Sequence, residues 1–142
     1  MTENRTTRMI GSCLCGRVTL EVPGPPAYIA ICNCDLCRKS GHAIGQFPVD
    51  TVRISGPTRS YVREDMADTW ITKHFCPTCG SATHSMGTPE HPSDVVRANV
   101  RLFHPDAFTG TEARFLDGAA VQHEDDPFTV MATAKYGDGT TF

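Results

Sequence analysis

The sequence is short of positive charge and contains no run of basic residues. Lysine and arginine number 13 against 16 aspartate and glutamate residues, which gives a chain of 142 residues a net charge of −3. Binding to nucleic acid depends mainly on lysine and arginine side chains that neutralise phosphates. We therefore expect no nucleic-acid partner.

Long hydrophobic runs are also missing. No apolar stretch approaches the roughly 20 residues that a membrane-spanning helix needs, so no membrane partner is expected. The stretch from Met1 to Arg8 is polar and lacks the apolar segment of a secretory signal. These features predict a cytoplasmic protein.

Large apolar side chains are scarce for a chain of this length. Ile, Leu, Val and Phe together make up about a fifth of the sequence, and 8% of the residues are aromatic. The length suits one domain, which we expect to span 1–142, with its motifs within about 9–103 and a C-terminal segment over 104–142. Because the core is thin, another interaction should help to hold the fold.

Short alternating patterns predict β-strands, and long helical patterns are absent. In the predicted strand Gly16–Val22, the residues Val18, Leu20 and Val22 share one face, and a second alternating strand covers Val95–Phe103. The other predicted elements are strands over Ala27–Cys32, Gly45–Val49, Val52–Ser55, Ser60–Arg63 and Trp70–Phe75, and one short helical turn over Asp35–Gly41. Strands at intervals of about 8–12 residues predict an all-β fold with few short helices. Beyond residue 104 the patterns weaken, and the apolar stretches 115–116, 119–121 and 128–131 are short strands or packing segments.

Seven cysteines stand in three tight clusters. The clusters are Cys13-x-Cys15, Cys32-x-Cys34-x-x-Cys37 and Cys76-x-x-Cys79. In a reducing compartment such clusters are more often metal sites than disulfides, and an odd number cannot pair completely. Thiolates in short pairs are typical zinc ligands. The sequence therefore predicts bound zinc.

Seven cysteines divide into a set of four and a set of three. Four ligands fill a structural zinc site, whereas three protein ligands leave a position for water or substrate. On this division a structural zinc takes Cys13, Cys15, Cys76 and Cys79, and a second zinc takes Cys32, Cys34 and Cys37. A structural zinc contributes folding energy, which would offset the thin core.

The spacing leaves open whether the second site has a fourth protein ligand. His42 is the more serious candidate for closing it, and Asp35 is the weaker one because it directly follows Cys34. A redox role for the Cys-x-x-Cys pairs is disfavoured because the sequence lacks the βαβ pattern of thioredoxin-like proteins. The open and the closed site are thus both retained.

Three motifs resemble those of the glutathione-dependent formaldehyde-activating enzyme family, also called the GFA or CENP-V domain. They are Gly11-Ser-Cys-Leu-Cys-Gly16, Cys32-Asn-Cys-Asp-Leu-Cys-Arg-Lys39 with Ser40-Gly41, and Phe75-Cys-Pro-Thr-Cys-Gly-Ser81. The resemblance implies a β-tent of small antiparallel sheets joined around zinc, with the same division of ligands into four and three. It also implies the condensation of glutathione with formaldehyde to S-hydroxymethylglutathione, which in reverse is a carbon–sulfur lyase reaction.

Two features depart from the family pattern. Asn33 stands where members commonly carry a histidine. Ala113-Arg114-Phe115-Leu116 stands in place of a His-Ile-Trp-like stretch, and Trp70 is the single tryptophan of the chain.

The resemblance implies catalytic roles for Cys32, Cys34 and Cys37, with a small-molecule thiol (glutathione) and an aldehyde as substrates. We expect Arg38 and Lys39 to be solvated. Two other functions compete: a non-catalytic zinc-stapled β module that binds a protein partner, and a redox sensor of thiols or metals. A fourth protein ligand at the triple would favour the binding module.

Overall fold

The computed structural model describes residues 8–66 and 68–139. The strands are β1 (Met9–Ser12), β2 (Thr19–Val22), β3 (Ile29–Cys32), β4 (Ile44–Pro48), β5 (Arg53–Ser55), β6 (Arg59–Val62), β7 (Thr72–Phe75), β8 (Ala82–Met86), β9 (Val95–Asn99), β10 (Glu112–Leu116) and β11 (Val130–Lys135). The helix is α1 (Asp35–Ser40), and 3₁₀ turns cover Val49–Thr51, Val100–Leu102 and Gly118–Ala120. The predicted β class with few short helices is confirmed. The polar N-terminal stretch to residue 7 and residues 140–142 lie outside the described residues.

None of the helices in this described part of the chain combines the length and apolar character needed to cross a membrane.

The strands form a small and a large sheet. The small sheet has the order β1-β2-β5, and the large sheet has the order β11-β10-β3-β4-β9-β8-β7-β6. Neighbouring strands in both sheets run antiparallel, except that β10 runs parallel to β3. The parallel pair places Leu116 opposite Cys32. The C-terminal segment is thereby brought against the second cysteine cluster.

The hydrophobic core contains residues from the small sheet and from one face of the large sheet. Val18, Leu20 and Val22 are fully buried, as their alternation predicts. Ile29 and Phe47 of the large sheet belong to the same cluster, and so do one cysteine of the first group and one of the third. Two of the predicted zinc ligands therefore lie at the edge of the apolar interior.

Strand β9 is shorter than the alternation predicts. It ends at Asn99, whereas the predicted strand ran to Phe103. The Asn99 side chain accepts hydrogen bonds from the backbone N–H of Arg101 (3.1 Å) and of Ala43 (3.3 Å). Such local side-chain bonds compete with a strand ladder, and the chain turns here into a 3₁₀ turn.

Strand β8 carries no apolar alternation and was not predicted. Thr83, His84 and Ser85 are all buried because β8 lies between β7 and β9 and pairs with both. Pairing on both sides satisfies the backbone polar groups of β8, and the side chains of Thr83 and His84 share a hydrogen bond of 2.9 Å between Oγ1 and Nδ1. Its neighbours therefore hold this strand in place despite its polar sequence.

Candidate metal centres and the adjoining cavity

The first and third cysteine clusters meet beside the core. Cys13 and Cys15 follow β1, Cys76 and Cys79 lie between β7 and β8, and their four sulfur atoms lie within 4.8 Å of one another. The Sγ–Sγ distance is 3.6 Å from Cys13 to Cys15 and 3.7 Å from Cys15 to Cys76. A tetrahedral zinc with Zn–S bonds of about 2.3 Å separates its sulfurs by about 3.8 Å. This set therefore fits a zinc ion.

Each of the two turns that carry these cysteines ends at a glycine with a positive φ. The N–H of Gly16 donates to the carbonyl of Cys13 at 3.0 Å, and the N–H of Gly80 donates to the carbonyl of Cys76 at 2.9 Å. Gly16 has φ of 81° and Gly80 has φ of 79°. Only glycine adopts such values at little cost, so each glycine allows its turn to close around the sulfurs.

Hydrogen bonds favour the thiolate form of two cysteines in this set, Cys15 and Cys79. The Ser81 hydroxyl lies 3.2 Å from Cys79 Sγ, and bonds from its side chain and backbone lower the pKa of Cys79 to about 5. Bonds from the backbone and side chain of Arg17 lower the pKa of Cys15. Zinc binds the deprotonated thiol, so these contacts prepare the site for a metal.

The second cysteine cluster forms a separate group at the start of α1. Cys32 ends β3, Cys34 caps the helix and Cys37 lies within it, and the three sulfurs lie within 4.8 Å of one another. The N–H of Cys34 donates to Cys32 Sγ and the N–H of Cys37 donates to Cys34 Sγ, both at 3.4 Å. The start of the helix thus orients three sulfurs that could hold a metal ion.

Neither candidate for a fourth ligand joins this group within the described residues. Asp35 is exposed and pairs with Arg38 at 2.7 Å, and Lys39 is also exposed, so both cations are solvated as expected. His42 is buried, and its Nδ1 contacts Nζ of Lys73. Burial, and then the Lys73 charge, lower the pKa of His42 well below its usual value. The arrangement is therefore a set of three sulfurs.

A buried arginine places positive charge beside Cys34. Arg63 is 6% exposed, its Nη1 donates to Cys34 Sγ at 3.5 Å, and its Nε and Nη2 donate to Asp65 at 2.6 and 3.0 Å. Hydrogen bonds from the thiols of Cys32 and Cys37, and then the Arg63 charge, lower the pKa of Cys34. These contacts favour the thiolate form of Cys34.

The three-cysteine group lines a cavity of about 300 Å³. One wall of the cavity is the face of the large sheet that points away from the core, and most of its lining is apolar. Its apolar lining includes Ala30, Leu36, Ile44, Trp70, Leu116 and Phe128. Trp70, which is 6% exposed, packs as a buried side chain and also forms part of this wall. The four-cysteine group takes no part in the lining.

Comparison with known proteins assigns the family. The model of the family described as "Glutathione-dependent formaldehyde-activating enzyme" matches residues 8–114. The chain belongs to this family. A crystal structure of a Rhodobacter sphaeroides protein is similar to it, with 27% sequence identity and a TM-score of 0.56 over 68% of this chain and 88% of that one. No curated protein matches the chain. The resemblance read from the cysteine motifs is confirmed.

In this member of the glutathione-dependent formaldehyde-activating family, Asn33 fastens the C-terminal segment to the second cysteine cluster. Its Nδ2 donates to Asp117 Oδ1 at 3.0 Å, and its Oδ1 accepts from the N–H of Ala119 at 2.8 Å. The turn held in this way brings Gly118 against Cys32, where an added Cβ would lie 2.1 Å from Sγ. The asparagine at the family's usual histidine position therefore shapes the cover over the sulfurs.

Sequence reasoning missed Arg63 and Gly118, because neither belongs to a motif. Arg63 is 29 positions from Cys34 in the sequence. It stands at the end of a predicted strand, where nothing in the pattern indicates that its side chain is buried. Gly118 reaches Cys32 only through the parallel pairing of β3 and β10. The spacing of residues within a short motif therefore cannot reveal either contact.

Proposed function

We propose that this protein is a zinc-dependent carbon–sulfur lyase that forms or cleaves S-hydroxymethylglutathione or a related thiol–aldehyde adduct. Cys32, Cys34 and Cys37 act at the reaction and hold the second zinc, and Cys13, Cys15, Cys76 and Cys79 hold the structural zinc. The observation that carries the proposal is that the three-cysteine group lines a cavity and the four-cysteine group does not. The family name supplies glutathione and formaldehyde as the substrates, and the sequence favours the cytoplasm as the location.

The reaction needs a thiolate beside a carbonyl carbon. In the forming direction the glutathione sulfur attacks the carbon of formaldehyde, one C–S bond forms and the π electrons of C=O move to oxygen. The proton lost by the thiol ends on that oxygen, and cleavage runs the same steps in reverse, so no oxidant or reductant is needed. A thiol of this type, with a pKa near 8.5, is mostly protonated at pH 7. Zinc bound at the triple would supply a lowered thiol pKa and a polarised carbonyl.

The residues around the three-cysteine group offset the negative charge of the sulfurs and exclude water from the reacting atoms. The guanidinium of Arg63, which is shared between Cys34 and Asp65, offsets negative charge on the sulfurs. Apolar walls that include Trp70 and Leu116 keep water from the reacting atoms, which strengthens electrostatic interactions there.

The test is an NMR exchange assay of zinc-loaded protein with glutathione and formaldehyde. Wild type should accelerate exchange of S-hydroxymethylglutathione, and Cys34→Ser should fold but fall to the spontaneous rate, because the four-cysteine site that supports the fold is untouched. Circular dichroism melting of both proteins is the control for folding. Normal turnover by Cys34→Ser would remove the assignment of the triple, and a wild type no faster than the spontaneous reaction would refute the activity.

A further inference from the structure

Three arginines line the cavity, and two of them are neutralised by neighbouring acids. Arg63 pairs with Asp65, as described above. The Nε and Nη2 of Arg114 donate to the carboxylate of Glu112 at 3.1 and 3.4 Å, and its guanidinium lies 4.0 Å from the ring centroid of Tyr28. Since these two charges are already compensated, neither offers much net attraction to an incoming anion.

Arg97, the third, is different. It is half-buried in β9, a central strand of the large sheet. Within residues 8–66 and 68–139, no ion pair or side-chain hydrogen bond joins its guanidinium to an acid. Burial lowers the pKa of Arg97, but a guanidinium keeps its proton in proteins. The cavity wall thus carries a cation that has lost water and has no direct ion-pair partner among the described residues, since the charges of Tyr28, Cys37 and Glu124 act on it without a hydrogen bond.

The strand register places a neutral polar side chain on each side of Arg97. Gln46 of β4 and Ser85 of β8 are its direct partners on the two neighbouring strands. Directly opposed residues share one face of a sheet, with Cβ atoms about 5 Å apart. All three side chains line the cavity. They form a polar strip, defined here as Gln46, Arg97 and Ser85, on a mostly apolar wall.

We propose that the polar strip is a carboxylate-binding subsite, in which Arg97 holds a carboxylate of the thiol substrate while the thiol reaches the three-cysteine group. The guanidinium fork matches a carboxylate with two parallel, charge-assisted hydrogen bonds. The amide of Gln46 and the hydroxyl of Ser85 supply further donors. This inference rests on the proposed function and narrows its substrates to small thiols that carry a carboxylate.

One small molecule can serve both groups. Arg97 and Cys37 line the same cavity, and the charge of the Cys37 sulfur acts on Arg97. The volume of about 300 Å³ is at the lower end of ligand pockets. A compact molecule that carries both a thiol and a carboxylate suits this space.

The first test compares glutathione with glutathione diethyl ester, which has the same thiol and masked carboxylates, in the exchange assay. Wild type should favour glutathione at least about tenfold in kcat/KM, the equivalent of about 1.4 kcal/mol. Arg97→Gln should lose that preference because its kcat/KM for glutathione falls. Its kcat/KM for the diethyl ester should stay within about twofold of the wild-type value. Arg97→Lys, which keeps the charge without the fork, should be intermediate and replaces the glutamine variant if that protein fails to fold.

Two control variants locate the effect. Arg53→Gln removes the same charge from a side chain that is 76% exposed in the small sheet and should keep the full preference. Arg114→Gln removes a paired charge of the cavity and should also keep it. A preference that survives in Arg97→Gln, or that disappears in Arg114→Gln instead, would overturn the assignment of Arg97.

The second test measures binding without turnover. S-methylglutathione has no free thiol, so its Kd, measured by calorimetry, reports binding without the thiol. Arg97→Gln should weaken this binding about tenfold. The diethyl ester of S-methylglutathione should bind wild type and Arg97→Gln equally weakly. If wild type binds S-methylglutathione through Arg97 but accelerates no exchange, the subsite stands and the proposed lyase function fails. If exchange is normal and Arg97→Gln binds S-methylglutathione as wild type does, the function stands and the subsite is refuted.

Discussion

At the scale of a single residue, a substitution at Gly118 should disturb the second metal centre and leave the first intact. A Cβ at this position would lie 2.1 Å from Cys32 Sγ and 3.3 Å from Cys34 Cβ, so Gly118→Ala must displace the sulfurs of the triple. We expect this variant to bind one zinc per chain where wild type binds two, and to lose exchange activity. Zinc release monitored with a colorimetric chelator measures the stoichiometry.

The neighbouring variant Ala120→Ser is the matched control for Gly118→Ala. Ala120 belongs to the same 3₁₀ turn and is exposed, so the added hydroxyl meets water and both zinc ions should remain. Two zinc ions and full activity in Gly118→Ala would show that the triple is not the second site.

The burial of His84 should make the free energy of unfolding fall at acidic pH. The ring is 2% exposed, and burial, followed by the charges of His74 and Lys73, lowers its pKa to about 3. Between this value and the usual pKa of about 6.5, the unfolded chain binds a proton that the folded chain does not. The free energy of unfolding therefore rises with pH in this window and falls on acidification, by at most about 1.4 kcal/mol per pH unit.

His84→Gln should remove this term. From pH 6.5 to pH 5.5, wild type should lose about 1 kcal/mol more of its unfolding free energy than the variant does, as measured by urea denaturation. His104→Gln, at a side chain that is 75% exposed, should follow wild type. Equal losses in wild type and His84→Gln would mean that the buried ring does not resist protonation.

At the scale of elements, the cysteine turn between β7 and β8 fastens the large sheet to the end of β1. Cys76 is fully buried, and its sulfur lies 3.7 Å from that of Cys15. Cys76→Ser should unfold or precipitate the protein, because a structural zinc contributes roughly 10 kcal/mol or more, which is comparable with the whole stability of a domain. Thermal melting by circular dichroism measures the loss.

Thr78→Ser tests the same turn without touching a sulfur. Thr78 is exposed, so this variant should melt as wild type does. An unchanged melting temperature in Cys76→Ser would show that the four-cysteine set is not a structural metal site.

The predictable elements are those whose side chains alternate between core and solvent. β2 was readable because Val18, Leu20 and Val22 all face the core, and the short spacing of the cysteines indicated both sulfur groups. β8 was not readable, because its buried polar residues depend on pairing with β7 and β9. Arg97 was missed for a related reason: only the register of three strands shows that it lies on the cavity wall between two neutral polar side chains.

At the scale of the whole molecule, the two sulfur groups occupy different environments. The four-cysteine group borders the hydrophobic core, with Cys13 and Cys76 inside the core cluster, and offers four ligands. The three-cysteine group lines a cavity and offers three. Fewer protein ligands and a direct path for a competing ligand should make the second zinc the more labile of the two.

Stepwise removal of zinc follows from this difference. When increasing chelator is added to zinc-loaded protein, the first half of the zinc should leave together with the exchange activity, while the far-ultraviolet circular dichroism and the melting temperature hardly change. The second half should leave only as the structure is lost, because the four-cysteine site fastens the small sheet to the large one. Gly118→Ala should show the second phase alone. Release of all the zinc in one step that coincides with unfolding would mean that the two centres are not separate, and that the cavity does not expose one of them.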